Sequence, residues 1–342
     1  RMLVICRDRD AVKRMRAALA RRLPHAALPT VTTFHGLAYA LVRRTTTPDT
    51  PMPRLLSGAE EDARIRDLLR GAIDDGALNW PEDLMAASST LGFANDLRAV
   101  LTRARELGIG PERLTEVGRD ARVPAWEVLG HLAEIDDDVM ALEGIVDYSR
   151  LLELAIGAAR QWRGELECIW VDDFQEAGAL QRHLLIALTS PSTSTVIFAD
   201  PDVAAFGFRG GDRLGALRLI EEARAHVIVL DRYYAGGGQL REAYDTVRRQ
   251  PALPGLAADD LRAYRQPQAA ESITFGTVTA LSHDTWADLA AWVADDLRRL
   301  HLSSGVAWDD IAVIARSTEH LESLRRALMV AGVPVTVAAS DI

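Results

Sequence analysis

Cysteine is nearly absent: Cys6 and Cys168 are the two in 342 residues, each inside a short apolar run. Two thiols so far apart in sequence form neither a disulfide framework nor a paired-Cys metal site. They read as buried reduced thiols of a cytoplasmic protein. Long apolar runs are missing too. Stretches such as 169–171 and 227–230 fall far short of the ~20 residues that cross a bilayer. No signal peptide is expected, since the chain opens on Arg1 and a short apolar run rather than on a long h-region. The eight histidines are scattered, and neither His-Glu-x-x-His nor Gly-x-Ser-x-Gly occurs. Zinc hydrolases and nucleophile-elbow enzymes are thereby set aside. Lysine occurs once, as Lys13, so almost all basic charge is arginine.

What is present is an ordinary soluble composition, 48% apolar and 26% charged, long enough for two domains with cores. Net charge is −10, yet residues 1–50 hold ten basic and three acidic side chains. A basic end on an acidic chain offers an anion-binding face, or else Arg14, Arg16, Arg21 and Arg22 simply solvate a helix.

Apolar, β-branched runs at 3–6, 168–171, 195–199, 227–230, 273–278, 311–315 and 334–337 predict strands. Stretches of helical spacing follow most of them, as at 11–23, 179–188 and 319–330. Such alternation predicts a parallel sheet covered on both faces. Between 51 and 165 the alternation gives way to helix after helix, punctuated at Asp74-Asp75-Gly76, Gly108 to Pro111 and Val123-Pro124. Pro251, Pro254 and Pro267 mark a linker over 251–271. The expected fold is α/β: one sheet domain from 1–50 and 166–250, an all-helical insertion at 51–165, and the beginning of a second sheet domain at 272–342. The acidic runs Glu60-Glu61-Asp62 and Asp136-Asp137-Asp138 read as solvated helix faces or first-turn acids, not as metal sites.

Three segments carry chemistry. In Cys168-Ile-Trp-Val-Asp172-Asp173-Phe-Gln175-Glu176 an apolar strand ends in two carboxylates, the arrangement that holds Mg²⁺ beside a phosphate, although strand ends of this kind are common. In Asp200-Pro-Asp202-Val203-Ala-Ala-Phe206-Gly-Phe208-Arg209-Gly-Gly211 two alternate aromatics precede a cation. They suit stacking on splayed bases, or else Phe206 and Phe208 plug the core. In Val31-Thr-Thr33-Phe34-His35-Gly36 hydroxyl, aromatic and imidazole groups meet at a strand–helix junction that Thr33 would cap.

Taken together, these segments resemble the UvrD/Rep/PcrA and RecB group of superfamily 1 DNA helicases. Thr33-Phe34-His35-Gly36-Leu37-Ala38 resembles an early DNA-contacting motif, and Val171-Asp172-Asp173-Phe174-Gln175-Glu176 the Asp-Glu-x-Gln-Asp box. The Asp200 to Gly210 segment is similar to the motif that follows. Gly144-Ile-Val-Asp-Tyr-Ser149 is typical of the RecB-like branch, while Asp310 to Ser317 and Gly332 to Val335 resemble the opening of the family's second domain. The resemblance implies a RecA-like domain (1A) interrupted by a helical 1B-type insertion, then the start of a RecA-like domain 2A. It implies ATP and Mg²⁺ as cofactors, with Asp172 on the Mg²⁺, Asp173 activating water and Gln175 coupling the site to DNA. Thr33, Phe34, His35, Phe206, Phe208 and Arg209 match DNA-facing positions. Single-stranded or duplex-end DNA is the implied partner, with a second helicase–nuclease subunit beside it. In character the chain is most similar to a weak motor subunit of an actinobacterial, AdnA-like helicase–nuclease.

The chain also departs from the family. The family's Gly-rich phosphate loop ends in Gly-Lys-Thr/Ser, whereas Lys13 has no glycine loop before it and is expected mid-helix. The loop is expected upstream of Arg1, and the later motifs, with any nuclease domain, beyond residue 342. Asp173 stands where the family has a glutamate base, about one methylene shorter, and a misplacement of ~1 Å can cost on the order of 10²-fold in rate. Val203 replaces a γ-phosphate-sensing Gln, and Tyr233-Tyr234-Ala235 replaces Asn-Tyr-Arg. The DNA half reads as intact and the ATP half as eroded. A working 3′→5′ helicase whose P-loop and later motifs lie outside the chain, and an interaction scaffold, are the alternatives.

Overall fold

The apolar stretch at residues 2–6 has no polar side to offer water, and the fold buries it from both sides. The computed structural model describes the whole chain except residues 26, 89, 163–164, 208–209, 235–237, 249–251, 270–276, 318–319 and 338–342. In β1 (Met2–Cys6), Leu3 and Ile5 enter the main core while Val4 and Cys6 join a second cluster with Val12 and Val31. That division is the alternation a pleated strand imposes. Next come α1 (Arg9–Arg22), β2 (Thr30–Thr33) and α2 (Phe34–Thr45). Asp8 caps α1 by accepting the Ala11 N–H at 2.7 Å, and Arg21 and Arg22 close its last turn, where positive charge suits the helix dipole. Lys13 is indeed mid-helix, paired with Asp10 at 2.8 Å.

β3 (Arg54–Leu55) pairs in parallel with β4 (Ile145–Val146). Between them the chain is helical: α3 (Gly58–Asp74), α4 (Glu82–Met85), α5 (Leu91–Glu106), α6 (Pro111–Ala121) and α7 (Pro124–Glu143). This excursion has its own core, including Leu69, Trp80, Leu97, Leu129 and Leu132. Ser57 and Glu60 form a capping box at the start of α3, so the Glu60-Glu61-Asp62 run is a set of first-turn acids, with Glu61 and Asp62 facing Arg98. The other acidic run differs from expectation. Asp136 is fully buried between Arg64 and Arg105, and Arg105 also holds Asp137 at 2.7 Å and Asp147 at 2.8 Å. A run of acids looks the same in sequence whether its arginines arrive from distant helices or not.

After β4 come α8 (Tyr148–Ala159), β5 (Cys168–Val171), α9 (Ala179–Leu188), β6 (Ser194–Ile197) and α10 (Gly215–Glu222). The sheet has the order β2-β1-β5-β6 with every pairing parallel, as helical crossovers require. On one face, Phe34, Leu41, Leu151, Leu152, Leu184 and Leu185 from α2, α8 and α9 pack on Leu3, Ile5, Ile169 and Val171. On the other face α1 covers β1 and β2, but Trp170, Val196 and Phe198 are exposed, with Trp170 and Phe198 edge to face at 6.3 Å. Burial on both faces, expected from the apolar runs, therefore holds for β1 and not for β5 and β6. Cys6 is buried and Cys168 half-buried, both as free thiols.

β7 (Arg232–Tyr233) pairs in parallel with β8 (Gln268–Ala269), with α11 (Gly238–Arg248) and α12 (Ala258–Arg265) between them. The stretch expected as a linker thus carries a helix and a strand. Pro254 and Pro267 flank α12 rather than interrupt it, which is where a residue without an N–H is tolerated. Two compact units result, residues 1–233 with 246–269, and residues 234–245 with 270–342. In the second, α13 (Trp286–Ser304) and α14 (Leu321–Val330) bury Ala290, Ala294, Leu297, Leu324 and Leu328. The runs at 227–230, 311–315 and 334–337 form no ladder among the described residues, and Ile228, Leu230 and Ile314 are largely exposed. A β-branched run favours extended backbone, but a ladder needs a second segment to pair with. Of the strand expected at 273–278, residues 273–276 lie outside the described residues.

Candidate functional site

The register of the sheet sets the site. Cys6 lies opposite Thr33, and Ile5 opposite Val171, so β1, β2 and β5 end level with one another. Ligands of parallel α/β sheets bind at these carboxyl ends. There Asp172 continues the ladder through its N–H to the Ile5 carbonyl at 2.9 Å. Asp173 then turns into the left-handed region at φ 51°, which Asp tolerates better than most residues, and its N–H donates to the Asp172 carboxylate at 3.1 Å. Phe174 follows and is wholly buried, 6.3 Å from the Phe34 ring, so the core anchors the turn and leaves both carboxylates at the edge. Burial, reinforced by the neighbouring Asp173 charge, raises the Asp172 pKa. A half-buried carboxylate pair whose neighbouring cation is Arg7, 3.5 Å from Asp173, is a fitting place for a divalent cation.

Two side chains tie this turn to the Asp200 segment. Buried Gln175 donates through Nε2 to Asp173 Oδ1 at 3.2 Å, and its Oε1 accepts the Asp200 N–H at 3.0 Å. Glu176 accepts the N–H groups of Ala205 and Phe206 at 2.9 and 2.8 Å. From α12, the Tyr264 hydroxyl donates to the Asp200 carboxylate and accepts the Asp202 N–H at 3.1 Å, while Arg265 pairs with Asp202 at 3.3 Å. Gly210 sits at φ 85° where a Cβ would overlap the Glu106 carboxylate, so the end of α5 also borders this loop.

The predicted residues divide. Asp172, Asp173 and Gln175 form one cluster. Thr33 caps α2 by accepting the Gly36 N–H at 3.1 Å, at the neighbouring strand end. Phe34 is a core residue, 6% exposed, so its ring offers no face to a ligand. His35 is half-buried, edge-on to Tyr148 at 5.0 Å, and burial lowers its pKa to about 4, leaving a neutral imidazole at neutral pH. Phe206 is half-buried on the Glu176-held loop; Phe208 and Arg209 lie outside the described residues. Sequence reading missed Arg7, Glu176, Tyr264 and Arg265. Arg7 bonds Asp8 at 2.9 Å, lies 3.5 Å from Asp173, and places its guanidinium 5.7 Å from the Phe206 ring centre. Its one signal was a lone cation directly after an apolar strand. Tyr264 and Arg265 had none, being over sixty residues from their partners.

A parallel sheet with paired acids at a strand end and a loop bound to it through a glutamine fits a RecA-like helicase domain. Residues 1–223 match the UvrD/REP helicase N-terminal domain, and the chain belongs to that family. It is similar to the ATP-dependent DNA helicase PcrA of Leuconostoc citreum, 20% identical over 98% of this chain and 43% of that protein. It is also similar to the ATP-dependent DNA helicase srs2 of Schizosaccharomyces pombe, 25% identical over 48% of this chain and 18% of that protein. The chain spans less than half the length of either relative. Among the described residues no helix is long and apolar enough to cross a membrane.

Proposed function

We propose that this chain is the DNA-binding motor region of a UvrD-like helicase, acting as one subunit of a double-strand-break helicase–nuclease with weak or absent ATPase of its own. On this reading the α3–α7 excursion is the body of the 1B-type insertion proposed over 51–165, the sheet from 1–50 and 166–250 with α8 packed on it is domain 1A, and 272–342 begins domain 2A. The observation that carries it is the contrast at one strand end. The Gln175 link between the acidic turn and the Asp200 segment is built, yet Asp173 faces Arg7, and exposed Val203 has no polar group where a phosphate sensor belongs. Single-stranded DNA would run across Thr33, His35, Phe206, Phe208 and Arg209. The protein would work in the cytoplasm beside a second motor subunit.

Mg²⁺ and ATP fit in part. Asp172 is suited to one Mg²⁺ position, and among the described residues no group of three or more His, Cys, Asp or Glu gathers there. A Mg²⁺ held by one or two carboxylates takes its other ligands from phosphate and water. The bound ion would neutralise phosphate charge; Asp173 would orient water and Gln175 would relay the state of the turn to the Asp200 segment.

The same Gln175 bridge favours a second reading, an active ATP-dependent 3′→5′ helicase. DNA-stimulated ATP turnover of the full-length protein separates the two, measured for wild type, Val203→Gln and Asp173→Ala. No turnover in wild type, with single-strand binding that Phe206→Ala weakens, is the expected result. Turnover abolished by Asp173→Ala establishes the active helicase instead, and absence of DNA binding leaves an interaction scaffold.

A further inference from the structure

Three groups at the strand end compete for one cation. Arg7 Nε donates to Asp8 at 2.9 Å, its Nη1 lies 3.5 Å from Asp173, and its guanidinium lies against the Phe206 ring at 5.7 Å. The three competitors are fixed. Asp8 is the cap of α1, Asp173 is held by the Gln175 amide, and the Phe206 N–H is held by Glu176. Arg7 reaches all three on a flexible stem, and with its side chain 34% exposed it can leave. We infer that Arg7 is a tethered cation that couples the aromatic loop to the acidic turn, held there until a divalent cation at Asp172 and Asp173 or a base on Phe206 displaces it.

The inference rests on DNA binding at the Phe206 loop as proposed above. A divalent cation at the turn repels Arg7 and takes up Asp173, which withdraws Arg7 from the Phe206 ring and frees its guanidinium for a phosphate. A base on Phe206 displaces Arg7 in turn and leaves the carboxylates more negative. Each event therefore favours the other, and linkage requires the two effects to be equal. An exposed ion pair and an exposed cation–π contact are both weak, so the coupling is on the order of 3–10-fold rather than thousands.

The test measures both sides of the linkage at fixed ionic strength: Mn²⁺ binding by electron paramagnetic resonance with and without an oligothymidine, and anisotropy of the labelled oligothymidine with and without Mn²⁺. Wild type is expected to show the same 3–10-fold tightening in both directions. Arg7→Gln should bind Mn²⁺ alone several-fold tighter and bring the coupling factor close to one, while Arg7→Lys, which keeps the charge, retains part of it. Equal Mn²⁺ affinity and equal coupling in wild type and Arg7→Gln overturn the inference. So does a variant that only loses DNA affinity, because Arg7 is then a simple phosphate contact. Wild type that binds no oligothymidine, or binds it unaffected by Phe206→Ala, overturns the DNA reading of the loop and the coupling with it.

Discussion

The Gln175 amide joins Asp173 to the backbone of Asp200, donating to the first and accepting from the second across 25 residues of sequence. The acidic turn and the segment that resembles the family's next motif are therefore one hydrogen-bonded piece. Gln175→Ala leaves the part-buried Asp200 N–H and the Asp173 carboxylate without these partners, and orphaning such a group costs about 1–3 kcal/mol. A loss of that size in unfolding free energy is expected, read from a lowered urea midpoint. An unchanged midpoint would show that water replaces the amide.

Two phenylalanines from the candidate DNA set should behave oppositely. Phe34→Ala removes a core ring and is expected to cost about 3–5 kcal/mol of stability. Phe206→Ala should leave the melting curve nearly unchanged and weaken single-strand binding by ~1–3 kcal/mol, the worth of one stacked base. Urea denaturation and anisotropy on both variants separate the two roles. Equal loss of DNA affinity in folded Phe34→Ala would contradict the core assignment.

His35 gives the fold an acid sensitivity. Its pKa is lowered to about 4 from the ordinary 6.5 by burial. The unfolded chain thus binds a proton that the folded one refuses between those values. Stability is full above pH 6.5 and falls as pH drops towards 4, by on the order of 1–3 kcal/mol. His35→Gln should flatten the urea midpoint across pH 4–6.5 relative to wild type. Parallel profiles for the two proteins would remove His35 as the cause.

Arg105 is the positive centre of the buried cluster with Asp136, Asp137 and Asp147. Arg105→Leu leaves Asp147 and Asp137 without this cation and Asp136 paired with Arg64, and breaking such a cluster costs about 3–5 kcal/mol. Adding Asp147→Asn removes one charge while keeping the α8 cap, in which Asp147 accepts the Arg150 N–H at 2.6 Å, and should recover part of the loss. Thermal melts of the single and double variants check this, and strict additivity would show the pair to be independent.

Much of this was legible beforehand, for local reasons. β5 coincides with the predicted run 168–171 because four apolar residues followed by two acids can be little else. Thr33 was predicted as the α2 cap because capping is decided within three residues. Phe34 was read as DNA-facing because a family motif records position, not burial, and only the packing of α2 on the sheet turned the ring inward. The runs at 311–315 and 334–337 carried the composition of strands without a partner to pair with. The prolines of 251–271 concealed α12, whose Tyr264 and Arg265 reach the Asp200 segment.

By itself the sequence determined the alternation of apolar strands and helices, a run of helices inside the stretch 51–165, the carboxylates at a strand end and the family those motifs indicate, since each depends on neighbours a few residues apart. That stretch, expected to be helical throughout, also holds β3 and β4. The tertiary structure alone decided that Arg7 lies between Asp173 and Phe206, that Gln175 and Glu176 tie two distant segments together, and that Asp136 is buried in an ion cluster. Those contacts join residues far apart in the chain. The charge and burial that give them meaning come from sheet register and helix packing, which no local pattern records.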